Sequence, residues 1–131
     1  MTGLDTNVIV RYLTQDDPIQ SPRATELFEN RLTEEEPGFI SVVAMAETVS
    51  VLKSAYGLPD SEIAAGIERL LQADVLVVEN EEEIFFALTA LAEGLGSFAD
   101  ALIAVLGARS GCSRTFTFDQ RALRLPWFEP L

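Results

Sequence analysis

Short apolar runs that alternate with helix-like stretches constrain the fold of this chain more than any other feature of its sequence. The clearest run is residues 75–78, four consecutive aliphatic side chains of the kind found in a buried strand. Residues 3–7, 39–41 and 114–118 are further strand candidates, and Trp127 with Phe128 is predicted to form a short edge strand. Because helical stretches separate these runs, the sequence predicts an α/β fold with a parallel sheet covered by helices on both faces.

The helical stretches begin at residues that favour helix starts. Serine is a preferred N-cap, and proline is tolerated in the first turn. Six helices are predicted. Two of them cover residues 8–13 and 81–92, two begin at Ser21-Pro22 and at Pro59, and two follow Ser41 and Ser97. No repeat or linker interrupts this order, and 131 residues is the usual size of one domain, so we expect a single domain over residues 1–131.

Composition excludes several classes of chemistry. With 48% hydrophobic and 23% charged residues, the chain is neither disordered nor collagen-like. A single cysteine, Cys112, excludes a disulfide framework and a cysteine-based zinc site. The absence of histidine excludes Ser-His-Asp and Cys-His nucleophile systems and histidine-bound metals. Any chemistry must therefore use carboxylates, hydroxyls, arginines or the one lysine.

The sequence shows no sign of a membrane or secretory segment. Its longest uncharged stretch, residues 37–46, spans ten residues, whereas a spanning helix needs about twenty. The first residues lack the basic and apolar regions of a signal peptide, so we expect a cytoplasmic protein with no membrane partner. The net charge of −12 argues against a broad basic face that coats nucleic acid, but it is compatible with an enzyme that contacts a few phosphates through metal ions.

Four acidic residues stand apart from the solvated ones. Asp5 and Asp119 follow predicted strands, and Asp100 lies three residues after Ser97, so each of the three also has an ordinary explanation as a helix cap. Glu47 is predicted to lie on the apolar face of its helix, where an ionised carboxylate is costly unless it is paired or bound to metal.

Taken together, the four acids point to a metal site. Two carboxylates about 4 Å apart repel by roughly 4 kcal/mol at an effective dielectric constant of about 20, so four in one place require bound cations or raised pKa values. Ligands that are all oxygen suit magnesium or manganese, and such ions without histidine suit phosphoryl chemistry. Spacing alone does not establish that the four acids converge.

Four motifs in order resemble those of PIN-domain ribonucleases, specifically the VapC toxins of toxin–antitoxin pairs. They are Leu4-Asp5-Thr6-Asn7-Val8, Ile40-Ser41-Val42-Val43-Ala44-Met45-Ala46-Glu47, Phe98-Ala99-Asp100-Ala101-Leu102-Ile103-Ala104 and Thr115-Phe116-Thr117-Phe118-Asp119. The resemblance covers essentially the whole chain and implies a three-layer α/β/α PIN-like fold. One mild departure is Gln120, since a basic residue often stands at that position in the family.

The resemblance also implies a function. It assigns Asp5, Glu47, Asp100 and Asp119 to the binding of magnesium or manganese and to catalysis, with Asn7 and Thr117 as supporting polar residues. It implies cleavage of RNA phosphodiester bonds, a homodimer and inhibition by a VapB-type antitoxin. Four arginines near the C-terminus are candidate helpers for the RNA; these are Arg109, Arg114, Arg121 and Arg124.

Three alternatives stay open at this point. A haloacid dehalogenase-type phosphatase has a second aspartate two residues after the first, where this chain has Asn7. A phospho-receiver domain needs a lysine at a strand end, whereas Lys53 is predicted to lie within a helix. The more serious rival is a PIN-like module that binds nucleic acid or protein without cutting, although binding alone does not require four intact acids.

Overall fold

The computed structural model covers residues 1–131 and divides into two compact units. The N-terminal unit is Met1–Glu79 and the C-terminal unit is Asn80–Leu131. Both combine helices with parallel strands, which confirms the prediction of a mixed α/β fold with a parallel sheet. The expectation of one domain stays a prediction. No helix has the length and apolar character that crossing a bilayer requires.

The N-terminal unit contains three short strands, four α-helices and a π-helical turn. They are, in chain order, β1 (Thr2–Gly3), α1 (Thr6–Thr14), α2 (Gln20–Glu26), the π-helical turn Leu27–Arg31, β2 (Gly38–Ile40), α3 (Val42–Ser54), α4 (Asp60–Gln72) and β3 (Leu76–Val78). The strands form a parallel sheet in the order β1-β2-β3, with Phe39 between Gly3 and Val77 in register.

Close packing explains a glycine at the centre of this sheet. Gly38 is buried, and a Cβ atom there would lie 2.8 Å from a Leu32 methyl and 2.9 Å from a Leu4 methyl. Around the sheet, α1 packs against α2 and α3, α3 packs against α4, and α4 packs against β3. The core of the unit contains large aliphatic side chains that are fully buried; they are Ile9, Ile40, Met45, Leu52, Ile63 and Ile67.

The C-terminal unit contains two helices and a pair of parallel strands. They are, in chain order, α5 (Glu81–Ala92), α6 (Phe98–Arg109), β4 (Thr115–Thr117), the 3-10 turn Ala122–Arg124 and β5 (Phe128–Pro130). Strand β4 pairs in parallel with β5, α5 packs against α6, and α6 packs against β4. Ile84, Leu91 and Ala101 are among the side chains that form its core.

Three elements near the N-terminus have bounds that differ from the sequence-based ones. The first strand is limited to Thr2 and Gly3, both of them exposed, and the first helix begins at Thr6 instead of residue 8. Asp5 causes this early start, because its side chain accepts a hydrogen bond from the Thr6 N–H and so caps the helix. The second helix begins at Gln20, before Ser21-Pro22, and its last turn is π-helical.

Candidate active site

Asp5 occupies the turn between β1 and α1. Its backbone is extended, and its Oδ1 accepts a hydrogen bond of 2.9 Å from the Thr6 N–H. The residue therefore acts as the N-cap of α1. The side chain is exposed, and Oδ2 has no hydrogen-bond partner in the protein.

Glu47 lies on an exposed part of α3, so the prediction that it faces the core was wrong. The buried face of α3 consists of Ala44, Met45, Thr48, Val49 and Leu52. The helix is apolar on most sides, so periodicity did not show which side the rest of the fold would cover. An exposed glutamate avoids the cost of burying a charge and keeps its carboxylate accessible to a ligand.

Thr6 connects these two acids. Its N–H donates to Asp5 Oδ1, and its hydroxyl donates to Glu47 Oε1 over 3.2 Å, across 41 residues of sequence. Thr6 itself is only 6% exposed, so both hydrogen bonds start from a residue held in the packed part of the unit. The structure thus brings the first two acids together through a residue that the sequence analysis did not single out.

Asp100 lies in the first turn of α6. Its backbone N–H donates to the Ser97 hydroxyl over 3.0 Å, which confirms Ser97 as the N-cap. The reciprocal bond of a capping box, from the Asp100 carboxylate to the Ser97 N–H, is not formed. The half-buried carboxylate accepts no hydrogen bond from the protein, so capping does not occupy it.

Asp119 follows β4 by two residues and is held on both sides by local hydrogen bonds. Its N–H donates to the Thr117 hydroxyl over 3.0 Å, and its Oδ1 accepts from the Arg121 N–H over 2.8 Å. Thr117 therefore restrains the backbone of Asp119, and its supporting role in the site stays a prediction. Asp119 is exposed, and its Oδ2 has no protein partner.

A PIN-domain family model matches residues 4–127, a range that includes all four acids. This chain belongs to the PIN-domain family. PIN domains are generally nucleases, which fits a hydrolase. No curated protein matches the chain in a sequence comparison.

The donor atoms of this PIN domain fit a divalent ion such as magnesium or manganese. All four acids present oxygen ligands, and each keeps at least one carboxylate oxygen without a protein hydrogen bond. Neither unit by itself holds a group of three or more acidic, cysteine or histidine side chains placed to bind a metal ion. Asp5 and Glu47 belong to the N-terminal unit, and Asp100 and Asp119 belong to the C-terminal unit.

The supporting role predicted for Asn7 stays a prediction. Asn7 lies in the first turn of α1, two residues after Asp5, and its side chain is exposed. It makes no hydrogen bond to Asp5 or Glu47, and it lines a neighbouring groove between α1 and α2. The hydrogen bonds to Asp5 and Glu47 come from Thr6 instead.

Proposed function

We propose that this PIN domain is a metal-dependent endoribonuclease, the toxin of a VapBC-type toxin–antitoxin pair. In this proposal Asp5, Glu47, Asp100 and Asp119 bind magnesium or manganese and carry the hydrolysis of RNA phosphodiester bonds. The observation that carries it is the pairing of Asp5 and Glu47 through the hydrogen bonds of Thr6. One buried residue, Thr6, holds both carboxylates, and each carboxylate keeps one oxygen without a protein partner. In this proposal these oxygens are positioned in advance as two of the ligands of the cation.

The chemistry divides between the bound ion and the side chains. A bound magnesium or manganese ion supplies positive charge, which polarises a phosphate and lowers the pKa of a water molecule. The Thr6 hydroxyl orients Glu47, and the Thr6 N–H orients the Asp5 carboxylate through Oδ1. The Asp119 N–H donates to the Thr117 hydroxyl, and the Arg121 N–H donates to Asp119 Oδ1. These two hydrogen bonds orient the Asp119 carboxylate and leave its Oδ2 available to a ligand or a proton.

The proposed partners are a second copy of the chain and a VapB-type antitoxin that blocks the site. Six large apolar side chains of the C-terminal unit are exposed, and this exposure supports a homodimer; they are Phe85, Ile103, Phe116, Phe118, Trp127 and Leu131. Analytical ultracentrifugation of the purified chain tests the dimer. We expect a species of twice the chain mass, whereas a monomer at every concentration would contradict it.

Cleavage of end-labelled total RNA by purified, partner-free protein tests the ribonuclease. Parallel reactions contain magnesium, manganese or EDTA. Asp5→Asn and Asp100→Asn remove a charge with little change in shape, and Asp74→Asn is a matched control at an exposed acid outside the motifs. We expect discrete cuts that need metal, disappear in D5N and D100N, and persist in D74N.

The same experiment addresses the non-cleaving alternative. The nuclease would be contradicted if folded protein left the RNA intact in every reaction and bound RNA equally well with and without metal. That result would support a binding module. Cuts that survive EDTA or both motif variants would indicate a contaminating nuclease and would contradict the assigned residues.

A further inference from the structure

A groove between α1 and α2 concentrates positive charge in a strongly acidic chain. It has a volume of about 330 Å³ and is lined by Arg11, Arg23 and Arg31, together with polar and aliphatic side chains. No acidic residue lines it, although the chain carries 21 acidic and nine basic residues. One third of all the basic side chains therefore lines a single groove, although the chain as a whole has a net charge of −12.

Two of the three arginines are free to bind a ligand. Arg23 and Arg31 are exposed, and all six ion pairs of the protein use other cations. Arg11 is held in place, because its guanidinium donates to Gln20 over 2.8 Å and to Asp16 over 3.1 Å. The groove thus combines one fixed arginine with two that have no anionic partner within the protein.

The π-helical turn helps to bring Arg23 and Arg31 to the same groove. Eight residues of regular α-helix would rotate Arg31 by about 80° past the direction of Arg23, since each residue advances by about 100°. The turn Leu27–Arg31 closes with a hydrogen bond from the Leu32 N–H to the Leu27 carbonyl, five residues back, so each residue in it rotates less. This wider turn reduces the mismatch, and both side chains line the groove.

The α1 side of the groove runs from Arg11 to Asn7, in the first turn of the helix that Asp5 caps. Asn7 and Arg11 lie one helical turn apart on the same side of α1, and Asn7 is two residues from Asp5. A strand bound in the groove and continuing past Asn7 would reach the N-terminus of α1, which Asp5 caps and where the Thr6 hydroxyl donates to Glu47. Because these two acids repel a phosphate, cations beside them reduce the cost of bringing a phosphodiester close.

We propose that this arginine groove binds the phosphate backbone of single-stranded RNA and positions the strand for cleavage at Asp5 and Glu47. This inference rests on the proposed ribonuclease function. Arginine matches phosphate geometry through two parallel hydrogen bonds, which makes Arg23 and Arg31 the phosphate-binding residues. Val8 and Leu27 add apolar surface to the groove, against which the sugars and bases of an unpaired strand pack.

Binding of a short, fluorescein-labelled single-stranded RNA of mixed sequence tests the groove separately from cleavage. Fluorescence anisotropy is measured at several salt concentrations in EDTA, with D100N as the starting protein so that the RNA stays intact. The test variant adds R23Q and R31Q. The control adds K53Q and R69Q, which remove the same charge from exposed positions outside the groove in the same unit. Circular dichroism checks that every variant is folded.

We expect R23Q with R31Q to weaken binding by roughly fivefold or more, and the control to leave it nearly unchanged. The slope of log affinity against log salt should fall by about 1.4, because each phosphate contact of a single strand contributes about 0.7. Replacing both arginines with lysine instead should restore most of this slope, since the charges return.

Two results would overturn the groove proposal while leaving the ribonuclease in place. One is equal RNA affinity in the groove variant and the control, with wild-type protein still cutting total RNA in a metal-dependent way. The other is a groove variant that binds RNA as well as the control does but no longer binds a polyglutamate peptide. That result would assign the groove to an acidic protein partner. If wild-type protein neither cuts RNA nor binds it, the proposed function itself fails.

Discussion

At the residue scale, the two carboxylate oxygens of Asp5 differ, since one caps α1 and the other has no partner in the protein. The cap is observed, and it leaves the proposed role in metal binding open to the second oxygen. An experiment on Asp5 has to separate the loss of the cap from the loss of the charge.

Comparison of Asp5→Asn with Asp5→Ala makes this separation. Asparagine caps helices about as well as aspartate, whereas alanine costs about 1 kcal/mol of stability. We expect D5A to lower the free energy of unfolding by about that amount and D5N to change it by only a few tenths. Both variants should lose metal-dependent cleavage. Urea unfolding and RNA cleavage are the two measurements, and cleavage retained by D5N would remove Asp5 from the catalytic residues.

Thr6 acts on the site through Glu47, so it is a positioning residue. Thr6→Val keeps the shape of the side chain but removes the hydroxyl that donates to Glu47 Oε1. We expect the single-turnover cleavage rate to fall about tenfold, equivalent to about 1.4 kcal/mol, while Thr6→Ser keeps most of it. A purely structural role would instead lower the melting temperature of both variants in parallel with their activity, and that pattern would contradict the assignment.

At the scale of elements, the corner between α1 and α2 depends on two ionised aspartates. Asp16 accepts hydrogen bonds from Thr14 and Tyr56, both of 2.7 Å, and from Arg11. These contacts lower the pKa of Asp16 below its ordinary value of 3.8, with the hydrogen bonds from Thr14 and Tyr56 as the main causes. Hydrogen bonds from the backbone N–H groups of Gln20 and Ile19 likewise lower the pKa of Asp17.

Because both pKa values are lower in the folded state, the two aspartates stabilise the fold above the ordinary pKa near 3.8. This stabilisation is lost as the pH falls through the lowered folded-state values. We expect the free energy of unfolding, measured in urea between pH 7 and about pH 2, to decline most below pH 4. The decline should be shallower in Asp16→Asn than in the matched surface variant Asp74→Asn, and identical slopes would contradict this account.

At the scale of the whole molecule, the net charge of −12 makes the folded chain a favourable target for divalent cations. Specific binding differs from general screening because it needs particular carboxylates. With magnesium at about a hundred times its dissociation constant, a single site stabilises the folded state by about 2.7 kcal/mol. EDTA should reverse this increase.

Thermal unfolding measures the effect. We expect magnesium or manganese to raise the melting temperature of wild-type protein and D74N by several degrees, and to raise that of D100N much less. An equal rise in D100N would show that the ions screen the general negative charge and do not occupy the proposed site.

The sequence was sufficient wherever a structural feature depends on a few neighbouring residues. Ser41 and Ser97 were predicted as N-caps, and their hydroxyls accept hydrogen bonds from Ala44 and Asp100. The helix Glu81–Ala92 has the predicted bounds, and every pair of strands is parallel, as the alternation of strands and helices indicated. Caps, breakers and hydrophobic runs act over a few residues, so their effects are visible in the sequence itself.

Tertiary structure decided the features that join distant residues. The exposure of Glu47 depends on which side of α3 is covered by the packing of α1 and α4, a choice that an apolar helix leaves open. The hydrogen bond from Thr6 to Glu47 spans 41 residues, and the arginine groove requires α2 and its π-helical turn to lie against α1. Residue types and local order followed from the sequence, whereas these contacts arise only when packing brings separate segments together.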